Sequence, residues 1–359
     1  MDEWWAEVPV SAGCPGPSQG GHSVGTSLLL HKAPRTDDPE LQSCLEGMVR
    51  DQGGQSVTIA SMSRRPLEQD GVASVEVLSL LLGCGERLEL VLKDFGRRLP
   101  AGDAAQRCEH ERRVYRVLLA GADLGTPRYY GTVSEPARGR FWTLLEFFPG
   151  QRLRWRESEC FVGAAAWLGR SQAHFARYPE RLEACPFLAR HDAQFFRYWA
   201  YRALRVAERL SDSLGRRLAR VVQRHSPWME AMASDPPTLV HGSFRRHHIL
   251  VGAGKNASRV CPVSWEGAAL GSPLHDLAFL SEGCQPPILE RMWEAYRDAL
   301  AGQIARRPDR WVMESLVTCF RLHRIERALG ETPEAELSER LVARLVVTAE
   351  RLARSLEQR

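Results

Sequence analysis

Residues 239–280 read LVHGSFRRHHILVGAGKNASRVCPVSWEGAALGSPLHDLAFL. Two short apolar runs, Leu239-Val240 and Ile249-Leu250-Val251, flank a polar loop. Gly252, Gly254, Lys255 and Asn256 mark a turn, and Val260 to Val263 open a further apolar run. The pattern predicts strand, loop, strand, turn, strand and helix, with the first two strands paired. A His-Gly loop between paired strands would set polar side chains at the mouth of a cleft.

The residues His241, Gly242, Trp265, Glu266, Gly271, Pro273, Asp276, Leu277 and Ala278 stand at one particular spacing. That spacing resembles the catalytic and metal-binding segments of the aminoglycoside phosphotransferase and choline kinase-like family. The resemblance extends over roughly residues 50–330. It implies an α+β, bilobal, protein-kinase-like fold, with a small antiparallel sheet lobe beside a larger, mostly helical lobe. It also implies where the chemistry should lie, and there the chain departs from the family. Ser243 stands at the position of the catalytic Asp, His248 at that of the metal-binding Asn, and Ser264 at that of the second metal-binding Asp.

Phosphoryl transfer needs magnesium on hard oxygen ligands and a carboxylate to orient or deprotonate the acceptor hydroxyl. Ser243 is a neutral hydroxyl, Ser264 removes a charge, and the nitrogen of His248 suits zinc better than magnesium. Glu266 is the acid at hand for a relocated metal ligand. By the resemblance, Asp276 and Trp265 are structural and brace the loop. Magnesium is therefore expected to bind weakly if at all, and ATP stays open as a ligand. His241, His247, His248 and His275 invite a zinc reading, but their spacing matches no zinc pattern. Ser243 with His241 or His248 could mimic a nucleophile pair, yet no oxyanion hole or orienting acid is identifiable.

Working towards the N-terminus, Lys93 stands out. Lysine occurs three times, at 32, 93 and 255, in a chain that otherwise uses arginine. An ammonium and a planar guanidinium are not interchangeable. Lys93 ends the apolar run Val91-Leu92, at the place of the family's nucleotide lysine. The resemblance pairs it with Glu111 on the helix 102–121, with Glu109 as the fallback. Strands are predicted over 56–62, 72–82, 87–95, 126–135 and 140–150. The loop Ser63–Gly71 falls where the family covers nucleotide phosphates. Its Pro66, Glu68 and Asp70 make it a poor cradle. Glu146, Phe147 and Phe148 match the hinge against which an adenine edge would lie.

The domain expectation is a flexible extension over 1–40, a sheet lobe over 41–148 and a helical lobe over 149–359. A helix is predicted from Asp38 to Val49, and helices cover 158–177, 190–232 and most of the chain after 285. His174 reads as a packed or capping histidine, and the stripe Leu337, Leu341, Leu345, Leu352 and Leu356 as internal packing. The formal charge of +4 over 359 residues gives no nucleic-acid signal. No apolar run is long enough for a membrane span, and the acidic start Met-Asp-Glu does not resemble a signal peptide. Nine scattered cysteines without C-x-x-C pairs suit reduced thiols in a cytoplasmic protein.

Three function classes follow. The first is a pseudokinase that binds a small molecule, peptide or partner protein. The second is an ATP-dependent small-molecule O-phosphotransferase with a rearranged site. The third is an old kinase cleft reused for another reaction on a peptide or natural product.

Overall fold

The structure, a computed structural model, describes residues 39–53, 57–67, 72–154, 158–234, 236–252, 259–300, 310–332 and 337–357. The extension expected over 1–40 lies outside these residues, apart from Pro39 and Glu40, which open the first helix.

That helix, α1 (Pro39–Gly53), is followed by β1 (Ile59–Leu67), β2 (Ser74–Leu82) and β3 (Arg87–Asp94). Next come α2 (Ala101–Arg113), a π-helical continuation over Val114–Leu119, β4 (Tyr129–Glu135) and β5 (Arg140–Glu146). The five strands form one antiparallel sheet in the order β1-β2-β3-β5-β4, so β3 is central. Leu78, Leu80, Leu90, Leu92 and Leu144 pack beneath Leu41 and Leu45 of α1 and close one side of the sheet. A strand centred in a sheet is clamped by two ladders, which makes Lys93 a fixed point: it pairs in register with Val75 and Thr143.

Past the sheet lie β6 (Gly150–Arg152), α3 (Ser158–Ala176), α4 (Pro179–Glu183), β7 (Ala189–Arg190), α5 (Ala193–Leu210) and α6 (Asp212–Ser234). The quoted stretch supplies β8 (Thr238–Val240), β9 (Ile249–Gly252), β10 (Val260–Pro262), β11 (Ala269–Gly271) and α7 (Leu274–Leu280). The chain continues through α8 (Pro286–Leu300), α9 (Arg310–Glu331) and α10 (Glu339–Glu357). One apolar core joins α3, α8 and α9 to the strands of the quoted stretch. A second core lies between α5, α6, α9 and α10, and the C-terminal leucine stripe belongs to it. The fold is the expected α+β arrangement of an antiparallel sheet and a helical body. Among the described residues, no helix is long and apolar enough to cross a membrane.

Two expectations need correction. The strands either side of the His-Gly loop are not paired with each other. β8 pairs with β11, Leu239 facing Leu270, while β9 lies between β10 and β6 in a different three-stranded sheet. Each strand already has its hydrogen-bonding partners elsewhere, and the loop, tightened by a 3-10 turn at Arg246–His248, carries the chain from one sheet to the other. The second correction concerns residues 63–67, which continue β1 and do not form a loop. The ladder runs on to Leu67 opposite Val75, and Arg64 bonds across it to Glu76 at 2.7 Å. Pro66 is tolerated because β1 is an edge strand. The remainder of that expected phosphate loop, 68–71, lies outside the described residues.

Candidate active-site cleft

The loop that carries Ser243 is shaped by its backbone first. Gly242 has φ +78, and a Cβ there would meet the carbonyl oxygen of Gly267 at 2.0 Å. No other residue fits. On either side, Asp276 ties the loop down: its Oδ2 accepts the His241 N–H at 2.6 Å and its Oδ1 the Gly242 N–H at 3.0 Å. Asp276 is fully buried at the start of α7. Replacing it by alanine should orphan both N–H groups and cost about 2–3 kcal/mol, readable as a lower denaturant midpoint with an unchanged slope.

The tautomers of the two histidines follow from their bonds. His241 accepts the Ser243 N–H on Nδ1 (3.3 Å), so its Nε2–H donates to the Val263 carbonyl (2.9 Å). Burial keeps it neutral, and its ring lies 4.6 Å from that of the buried Trp265. His248 donates from Nδ1 to the Ser243 carbonyl at 2.9 Å, which leaves its lone pair on Nε2. Burial, then His247 and His241, push its pKa down to about 3. It too is uncharged.

Ser264 holds left-handed backbone, φ +71, which is uncommon for a residue with a side chain. That turn starts the 3-10 segment Trp265–Gly267 and delivers Glu266 to the ammonium of Lys93. Lys93 Nζ donates to Glu111 Oε1 at 2.8 Å and to Glu266 Oε2 at 2.7 Å. Glu111 Oε1 also receives the Trp265 N–H at 3.1 Å, so α2, β3 and the Ser264 turn meet at one carboxylate. Glu109, the fallback partner, bonds to Arg112 and Arg113 instead.

One ammonium faces two buried carboxylates, and the two are not equivalent. Burial works against the charged form of Lys93, but Glu111 and Glu266 outweigh it and hold its pKa above the ordinary value. Burial also opposes the charge on Glu266. There Lys93 prevails, with the residue's own backbone N–H assisting, and the pKa is held down. Glu111 is pushed up by burial and by the charge of Glu266, more than Lys93 can offset, and its Oε2 has no hydrogen-bond partner among the described residues.

The hinge residues are tied into the sheet. Glu146 takes the Arg128 N–H on its carboxylate at 3.0 Å, and the Phe147 N–H donates to Glu89 at 3.2 Å. The Phe148 ring is buried, with the Arg259 guanidinium 4.8 Å from its centroid, and forms no open flat wall. The structure thus brings Lys93, Glu111, Trp265, Glu266, His241 and His248 together and leaves Glu146 about 10 Å along β5 from the residue facing Lys93. Among the described residues, no group of three or more His, Cys, Asp or Glu side chains is placed to hold a metal ion. His174 packs edge-on against Phe175 and Tyr178.

Sequence reasoning passed over His110. It lies beside Glu111 on α2, its Nε2 is 2.9 Å from the Ala268 carbonyl, and it feels the charge of Glu266. Its place next to a candidate ion-pair residue was the one available signal.

Residues 78–312, more than half of the chain, match the model of the phosphotransferase enzyme family. The chain belongs to that family. Similar folds are seen in a GDP complex of an aminoglycoside 2′-phosphotransferase variant, with TM-score 0.56 and 14% identity over 88% of this chain and 97% of that one. A macrolide 2′-phosphotransferase from Brachybacterium faecium has TM-score 0.51 and 19% identity over 81% and 99%. A microcompartment-associated aminopropanol kinase has TM-score 0.52 and 16% identity over 83% and 92%. At these identities the likeness is one of fold. No curated protein matches the chain at a significant level.

A phosphotransferase of this family would hold magnesium in the cleft, and the side chains at 243, 248 and 264 do not fit that ion. Ser243 and Ser264 offer neutral hydroxyls, and His248 offers a nitrogen. Glu266, the candidate relocated ligand, is engaged by Lys93.

Proposed function

We propose that this phosphotransferase-family chain has lost phosphoryl transfer and uses its cleft to bind a small molecule, peptide or partner protein. One observation carries the reading: Glu266 bonds to Lys93 at 2.7 Å, so the lysine that would meet nucleotide phosphate already has a carboxylate on it. Ser243, His248 and Ser264 supply neither a general base nor a charged metal ligand, which supports the same reading. Removing general-base assistance alone costs about 10²–10⁴ in rate.

Calorimetry with ATP, with and without magnesium, together with a γ-phosphate transfer assay, tests it. The expected result is no gain in nucleotide affinity from magnesium and turnover far below ~1 per second, the low end for kinases. Restoring Asp at 243 and 264 and Asn at 248 should raise magnesium binding first. Wild-type turnover near ~1 per second, abolished by Glu266→Gln, would sink the proposal and make Glu266 the relocated metal ligand of a working O-phosphotransferase.

A further inference from the structure

A concavity of about 1570 Å³ is lined by none of Lys93, Glu111, Ser264 and Glu266. Its wall is built from the end of α2 with its π-helical continuation, the connection 120–128, the start of β4, Trp167 and Arg170 of α3, and Arg259 with Val260, together with Met48 of α1 and Glu146 of β5. Five arginines line it, Arg112, Arg116, Arg128, Arg170 and Arg259, against two carboxylates, Asp123 and Glu146. The Glu146 carboxylate is itself occupied by the Arg128 backbone N–H.

Several arginines elsewhere in this chain are paired with acids: Arg64 with Glu76, Arg217 with Glu350, Arg291 with Glu159. Around this cavity Arg116, Arg128 and Arg170 have no carboxylate partner among the described residues. Arg112 is paired with Glu109, so the positive excess rests on these three, and like charges that converge raise the local potential and attract anions.

The wall is also held in place. Trp167 Nε1–H donates to the Leu124 carbonyl at 2.6 Å, and Arg259 donates to the Gly125 carbonyl at 3.2 Å. The two bonds pin the connection that separates α2 from β4. Tyr115 and Tyr129 stack at 6.1 Å with an interplanar angle of 16° and form a flat side. A site fixed before a ligand arrives loses less on binding it.

We propose that this cavity binds a small phosphorylated anion carrying two or more negative charges, at a site separate from the cleft. The guanidinium fork matches phosphate oxygens in pairs, and an array of such forks favours a polyphosphate over a single carboxylate. The inference does not depend on whether the cleft transfers phosphate.

Inorganic tripolyphosphate is the probe, titrated into the full chain by calorimetry at about 0.15 M ionic strength, where long-range attraction is screened. Saturable one-site binding is expected. Arg128→Ala and Arg170→Ala should each weaken it about tenfold, as loss of one charged contact does. Arg128→Lys should recover part of the loss, and thermal midpoints should stay unchanged because both side chains are exposed. Arg291 does not line the cavity and its partner Glu159 lies eleven residues from Arg170 along α3, so Arg291→Ala should leave binding alone. Absence of binding would overturn the inference, as would a loss in Arg291→Ala equal to that in Arg128→Ala, which would mean general charge attraction. Affinity insensitive to Arg128 and Arg170 but increased by Glu266→Gln would place the anion on Lys93 and overturn it too.

Discussion

Lys93→Ala is expected to destabilise the protein by about 3–5 kcal/mol, a large part of a typical domain's stability. The substitution removes the cation from between the fully buried Glu111 and the largely buried Glu266. A buried ion pair is weak evidence for net stability, but breaking one by deleting a single partner leaves uncompensated charge, and that is costly. The mechanism predicts its own rescue: adding Glu111→Gln and Glu266→Gln to the lysine variant should recover most of the loss. Chemical denaturation of the single and triple variants decides the matter, and a loss under about 1 kcal/mol in the single variant would mean that the cluster does not anchor the lobes.

The same cluster sets a pH dependence whose sign can be worked out. In the wild type, Glu266 is held down to about 2 by Lys93 against the cost of burial. Its contribution is present above the unfolded value of ~4.3 and is lost as pH falls towards 2. Glu111, pushed up to about 7 by burial and by Glu266, behaves in the opposite way. Its contribution is complete below ~4.3 and is lost as pH rises through 7. In Lys93→Ala both carboxylates lose their cation, and burial raises both. The deficit relative to wild type should therefore be widest above pH ~7 and shrink as the pH is lowered towards ~4.

Gly242→Ala is the second large effect, an expected loss of about 4 kcal/mol, from overpacking of ~1–3 and backbone strain of ~1–3. The new methyl would lie 2.0 Å from the Gly267 carbonyl oxygen, and φ is +78. Neither backbone can give way cheaply, because His241 and Gly242 are held by Asp276 on one side and the Trp265–Gly267 turn stands on the other. The readouts are the unfolding midpoint and the near-ultraviolet signal of Trp265, which the His241 ring contacts. A midpoint within about 1 kcal/mol of wild type would show that the loop and turn can separate. Gly267→Ala is the matched control: a Cβ there meets nothing closer than 3.6 Å.

Much of this site could be read in one dimension. Lys93 is conspicuous because the chain otherwise uses arginine, and it ends an aliphatic strand. Glu111 falls at helical spacing with Ala104, Cys108, Tyr115 and Leu118, all buried, so a single period aims its carboxylate inwards. The spacing from His241 and Gly242 to Asp276 carried the frame, and the hydrogen bonds found there are its physical content. Ser243, His248 and Ser264 were visible by identity alone, since a residue's type needs no coordinates to be noticed.

Other features depended on where distant segments meet. Glu266 reaches Lys93 across 173 positions of sequence, from a segment that the left-handed turn at Ser264 begins. Strand pairing was misread for a related reason. Short apolar runs such as Leu239-Val240 and Ile249-Val251 state that they are buried but not beside what, and β11 and β6, three residues each, took the places assumed for a neighbour. β1 outran its apolar pattern because the cross-strand bond of Arg64 to Glu76 rewards polar residues on a sheet face. The arginine-lined cavity draws on positions 112–128, 170 and 259. The amino-acid sequence by itself determined the lobes, the lysine and its first partner, and the identities of Ser243, His248 and Ser264, because periodicity and residue identity are local properties. The tertiary structure alone decided which carboxylate holds that lysine and where unpaired charge gathers, because electrostatic energy depends on distance through space and not along the chain.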